Sequence, residues 1–194
     1  MLGANNTMLP VILDACVLYR VHLRDFLLHL ARRKSFLPHW SEEIQDEWIR
    51  NLQVNRPDIL PESLERVRWS MNIHFPHSRV HGYESLIPTV NLPALKDRHV
   101  LAAAMHAKAK CIVTFNLKDF PPSVLQLYGI EALLPDDFVL RLIQKAPILV
   151  MRVAQKHRLG LVCPSLSVDE YLTMLEKQGL PKAVAFLREH KENI

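Results

Sequence analysis

Five side chains stand where short apolar runs end or apolar helices begin. Asp14 follows Val11-Ile12-Leu13, Glu47 lies within the stretch Ser41 to Trp48, and Asp97 precedes the Ala-rich run Val100 to Ala109. Asn116 and Asp119 follow Cys111-Ile112-Val113-Thr114. Two like charges about 4 Å apart repel by about 4 kcal/mol at an effective dielectric of 20. A domain's entire stability is on the order of 5–15 kcal/mol. Carboxylates gathered at one place therefore require protons or a cation between them. Hard divalent cations with oxygen ligands are the natural partner. Such an ion can generate a hydroxide nucleophile and clamp both oxygens of an in-line displacement at phosphorus.

The elements that would gather these acids can be read from apolar spacing. Met8 to Leu13 and Cys111 to Thr114 read as short buried strands, and Ile130 to Leu134 as a third. Leu23 to Arg33 carries apolar residues at helical spacing and ends in a basic cluster, which suits a helix C-terminus. Pro38 interrupts the chain, and Ser41 then reads as the N-cap of a helix running to about Leu52. Further helices are expected over residues 62 to 75 and 98 to 109, with residues 80 to 90 ambiguous. Strands alternating with helices favour a parallel sheet with right-handed crossovers. Every strand then ends on one edge, where ligands bind in open α/β sheets. Asp14, Asp97 and the Asn116 to Asp119 loop all fall at that edge.

From Asp136 the pattern becomes purely helical. Phe138 to Gln155 reads as a helix that Pro147 must kink or split. Ser167 to Lys177, with Ser167 and Glu170 spaced as a capping box, and Pro181 to His190 read as two more. The expected organisation is one α/β domain over residues 1–135 and a helical C-terminal extension over residues 136–194.

Composition narrows the function classes. The chain has 194 residues, 49% of them hydrophobic, enough for a real core, and a net charge of +4, compatible with a polyanionic partner. The three cysteines are far apart with no C-x-x-C pair, so neither a zinc ribbon nor a disulfide framework is indicated. Neither G-x-x-x-x-G-K, G-x-G-x-x-G nor G-x-S-x-G occurs, which argues against a phosphate-cradling glycine loop and a serine hydrolase elbow. No signal-peptide pattern precedes the first strand and no apolar run approaches the ~20 residues of a membrane span, so a soluble cytoplasmic protein is expected.

Each acid also has a plainer explanation. Asp14 and Asp97 could be helix caps, Asp119 a turn residue, and Glu47 a solvated helix side chain on the shoulder of the Ile44, Trp48, Leu52 stripe, with Glu43 pointing further away. His74, His77, His99 and His106 read as surface or packing residues. Lys96, Arg98 and Lys118 flank the proposed site and suit a phosphate backbone.

Three ordered segments carry a resemblance: Leu13 to Tyr19, Asp97 to Ala104, and Ile112 to Pro121. Together they resemble the PIN-domain ribonucleases, and among these the VapC-type toxins of bacterial toxin–antitoxin systems, over about the first 135 residues. The resemblance implies a three-layer α/β/α fold with a parallel sheet and Mg²⁺- or Mn²⁺-dependent endonucleolytic cleavage of RNA by activated water. It maps the family's acids onto Asp14, Glu47 and Asp97, with Asn116 or Asp119 completing the metal shell. Many relatives have an acid where Asn116 stands, which leaves open whether one or two metals bind. Thr114 is expected to bond to a carboxylate from outside the metal's own ligands. The same resemblance implies a small antitoxin partner and, often, a homodimer. Three rivals stand beside it: an aspartyl phosphotransferase, a non-catalytic RNA- or partner-binding module, and action on DNA. The haloacid-dehalogenase type of phosphotransferase needs a second Asp where Cys16 stands.

Overall fold

The computed structural model describes residues 8–194. The expectation that no leader precedes the first strand concerns residues 1–7 and lies outside them. Five strands, β1 Pro10–Leu13, β2 Leu37–Ser41, β3 Arg79–Val80, β4 Cys111–Val113 and β5 Glu131–Leu133, form one all-parallel sheet in the order β3-β2-β1-β4-β5. Its register pairs Ile12 with His39 on one side and with Ile112 on the other. The N-terminal helices are α1 Ala15–Leu18, α2 Val21–Arg32, α3 Glu42–Asn55, α4 Pro61–His74, α5 Arg98–His106 and α6 Pro122–Leu125. The C-terminal helices are α7 Pro135–Lys145, α8 Pro147–Gly160, α9 Val168–Lys177 and α10 Pro181–Glu189. The result is the three-layer α/β/α arrangement.

One strand, β2, departs from the expectation, and β3 falls at the start of the stretch read as ambiguous. β2 contains Pro38, which breaks a ladder where its missing N–H would be needed. Alternation along the strand removes the conflict. The Leu37 N–H donates toward β1 at Leu9 O, while the Trp40 N–H points the other way, to Ser78 O. Pro38 shares the parity of Trp40 and so faces the β3 side, where pairing begins only at Trp40. β3 is two residues long, too short to show a period.

Capping follows the side-chain chemistry. The Ser41 hydroxyl accepts from Ile44 N at 3.2 Å, and Ser167 with Glu170 forms a complete capping box at α9. Pro147 splits the predicted long helix cleanly, since α7 ends at Lys145 and Pro147 occupies the first turn of α8.

The central strands are fully buried. Val11, Ile12 and Leu13 of β1 and Cys111, Ile112 and Val113 of β4 have no solvent exposure. α5 presents an unbroken buried run, His99 to Ala104, whose alanines let it lie close to the sheet. The C-terminal helices pack on α2 through an aromatic and imidazole cluster. His157, buried, stacks 5.9 Å from Phe26 and 5.3 Å from His29, and its Nδ1 shares a 3.1 Å hydrogen bond with the Tyr171 hydroxyl. Burial, reinforced by His29 and His22, lowers the His157 pKa to about 4.

Candidate active site

β1 and β4 are neighbours at the point where the strand order reverses, and the loops leaving them diverge there. Asp14 leaves β1 and caps α1, its Oδ1 accepting from Ala15 N at 2.7 Å. Its Oδ2 accepts from Thr114 Oγ1, just past β4, at 2.6 Å and from Cys16 Sγ at 3.1 Å. Thr114 in turn accepts from Asn116 N at 2.9 Å. One fully buried hydroxyl thus ties together the two loops that carry Asp14 and Asn116. Burial, then the charge of Asp14, pushes the Cys16 thiol up to about 12, so it stays protonated and donates.

Asp97 behaves differently. It is buried and precedes α5, yet makes no side-chain capping bond, and its Oδ2 has no hydrogen-bond partner. The capping explanation therefore holds for Asp14 and fails for Asp97. A buried unpaired carboxylate oxygen is costly. Burial first, and then Asp119 and Asp14, raise the Asp97 pKa, with Lys96 opposing. Glu47, half-buried on the second turn of α3, is raised by burial, then by Asp14 and Asp97, against Lys96 and Arg50. Asp14, Glu47, Asp97 and Asp119 thus lie in one electrostatic neighbourhood.

These side chains do not form a closed cage. Among the described residues no group of three or more His, Cys, Asp and Glu side chains is placed to hold a metal ion. The acids of the expected shell, Asp14, Glu47, Asp97 and Asp119, with Asn116 as its fifth member, are thus not drawn into one cage, as like-charge repulsion favours. The donors nevertheless fit a hard cation, being all oxygen, with Asp97 Oδ2 unbonded. Mg²⁺ characteristically uses one or two carboxylates and keeps several waters.

Lys96 and Lys118 are exposed, in the short turns Leu95–Asp97 and Leu117–Asp119, and Arg98 is half-buried. One acid and a histidine add to the expected set. Glu43 does not point away: its Oε2 lies 3.6 Å from His99 Nδ1 and accepts from the Tyr83 hydroxyl at 3.4 Å. His99 Nε2 lies 3.8 Å from Glu47 Oε2. His99, read as packing, is thus a buried imidazole between two glutamates on the rim. The available signal was joint: Glu43 and Glu47 share a helix face at i,i+4, and His99 follows Asp97 by two residues.

With this geometry in view, comparison with known proteins gives a class. Residues 10–118 match the PIN domain family, and the chain belongs to it. That stretch contains every predicted site residue except Asp119. Residues 135–189 match a second family, the VapC50 C-terminal domain. The chain is also similar to "Putative ribonuclease VapC50" of Mycobacterium tuberculosis (strain ATCC 25618 / H37Rv), with 56% identity over 59 residues, 30% of this chain and 34% of that protein. The match thus spans about a third of that relative's length. No solved structure matches the chain. Among the described residues no helix is long and apolar enough to cross a membrane.

Proposed function

We propose that the protein is a Mg²⁺- or Mn²⁺-dependent endoribonuclease, acting in the cytoplasm as the toxin of a toxin–antitoxin pair. The observation that carries this reading is the unbonded, buried Asp97 Oδ2 in the electrostatic company of Asp14, Glu47 and Asp119. The name of the mycobacterial relative and the helical family match support the ribonuclease and toxin parts of it. An aspartyl phosphotransferase of the haloacid-dehalogenase type fits less well, because the position two residues on from Asp14 is the thiol Cys16 and not a second Asp.

In this reading Asp14 and Asp97 would hold the cation, Glu47 would meet it through water or orient the nucleophile, and Asn116 and Asp119 would complete the shell. When bound, the cation supplies Lewis acidity and a water of lowered pKa. Thr114 and Cys16 fix the Asp14 carboxylate by donating to Oδ2. Lys96, Arg98 and Lys118 steady the phosphate that is cut. The chain divides into a nuclease unit, residues 1–135, and a helical extension, residues 136–194. The partners are RNA, a small antitoxin protein and a second copy of the chain.

The test is cleavage of mixed RNAs with Mg²⁺, with Mn²⁺ and with chelator. Cleavage that stops with chelator and returns with added metal is expected. Cleavage indifferent to chelator rejects the metal mechanism.

A further inference from the structure

A groove of about 780 Å³ opens beside the carboxylate rim and shares Cys16 and Asn116 with it. It runs between the start of α2, the last turns of α3 and the turn joining α9 to α10. Its walls hold two aromatic rings, Tyr19 and Phe115, and two guanidinium groups, Arg20 and Arg56. The amides of Asn51, Asn55 and Gln178 also line it, and no Asp or Glu does. Arg56 is paired with the exposed Asp58 at 2.6 Å, whereas Arg20 has no acidic partner among the described residues.

The C-terminal helices build one wall of this groove. The Arg20 guanidinium lies 4.3 Å from the Phe115 ring centroid and donates to the Lys177 carbonyl at 3.4 Å. Gly179 adopts φ +96°, and a Cβ there would stand 2.9 Å from Phe115 Cε1. Only a glycine lets the α9–α10 turn adopt that backbone and lie against the ring.

We propose that this groove reads one or two unpaired nucleotides of an RNA strand beside the phosphate that is cut, with the α9–α10 turn as a specificity-determining wall. The proposal rests on the ribonuclease reading of the rim. Aromatic faces and positive charge without base-specific geometry are how single strands are held. Unpaired bases expose edges that duplex RNA hides, and side-chain amides offer both donors and acceptors to them. The volume suits one or two such units. Charge complementarity selects a polyanion over an apolar or basic occupant, and direct continuity with the rim selects nucleic acid among polyanions.

Binding of a labelled single-stranded RNA oligonucleotide to the full chain, in chelator so that no cleavage occurs, separates this site from the chemistry. Phe115→Leu, which keeps the apolar bulk, is expected to weaken binding about tenfold. Asn55→Ala, at an exposed position, is expected to weaken it severalfold, and Arg66→Gln on α4 should leave it unchanged. With metal present, Gln178→Ala should change which nucleotide is preferred beside the cut, and Phe115→Leu should raise KM more than it lowers kcat. Binding by Phe115→Leu and Asn55→Ala within twofold of the parent overturns the proposal, as does an absence of RNA binding by the parent. Groove-dependent binding without metal-dependent cleavage would sink the nuclease reading alone. Normal cleavage with indifferent groove variants would sink the groove alone.

Discussion

The carboxylate rim and the His157 junction both bury titratable groups, and they do so with opposite signs. At the rim, burial and then neighbouring acids raise Glu47 and Asp97, and Asp97 leaves an oxygen unbonded. At the junction, His157 is neutral, bonded to Tyr171 and packed among aromatic rings. Both regions disfavour the ionised form, so the rim carboxyl groups shift up and His157 shifts down, while the junction holds the C-terminal helices on α2. Each region leaves a buried polar atom unbonded, Asp97 Oδ2 at the rim and His157 Nε2 at the junction, so what separates them is their company: acids face acids at the rim, whereas His157 faces aromatic rings and a hydroxyl.

That contrast can be broken most forcefully at the rim. Asp14→Asn and Asp97→Asn should each lower metal-dependent RNA cleavage on the order of a thousandfold, since a metal contributes several kcal/mol and each 1.36 kcal/mol is tenfold. Full activity in both variants, with circular dichroism unchanged, would remove the rim's functional claim.

Acidification tests the junction next. The His157 pKa is depressed, so its contribution is present above the unfolded value of 6.5 and is lost as pH falls toward about 4. Urea unfolding should show a loss of roughly 3 kcal/mol across that window, by the rule of 1.36 kcal/mol per pKa unit. A His157→Phe variant should flatten that dependence. An unchanged pH profile in the variant would show that His157 is not the titrating group.

The rim has the reverse sign. Raised carboxylate pKa values favour the folded state at low pH, and that advantage disappears as pH rises through them. Neutralising Asp97 should therefore stabilise the metal-free protein. A higher Tm for Asp97→Asn than for the parent in chelator is the expected result. A lower Tm for Asp97→Asn in chelator would mean that Asp97 is structural after all. The smallest effect belongs to Lys96: Lys96→Ala should flatten the log–log salt dependence of RNA binding by about 0.7, the value of one single-strand phosphate contact.

Much of this contrast was legible in the residues. Asp14 and Thr114 end apolar runs, so their meeting at one sheet edge follows from strand, helix, strand alternation. Ser41, Ser167 and Pro147 marked helix starts through local chemistry that tertiary packing did not override. β2 was hidden by Pro38, because a linear reading cannot tell which neighbour a missing N–H faces. The tie from Glu43 through His99 to Glu47 was hidden because it joins two helices from different parts of the chain. Spacing alone could not separate Asp14, which caps, from Asp97, which does not.

The outer strands carry a consequence for self-association. β3 is two residues long with Arg79 exposed, and β5 is three residues long, opening with an exposed Glu131 held by Arg141 at 2.9 Å. Such brief, charged margins resist augmentation by another chain's backbone. Two copies of this protein would have to meet through helical faces, and their sheets would remain separate.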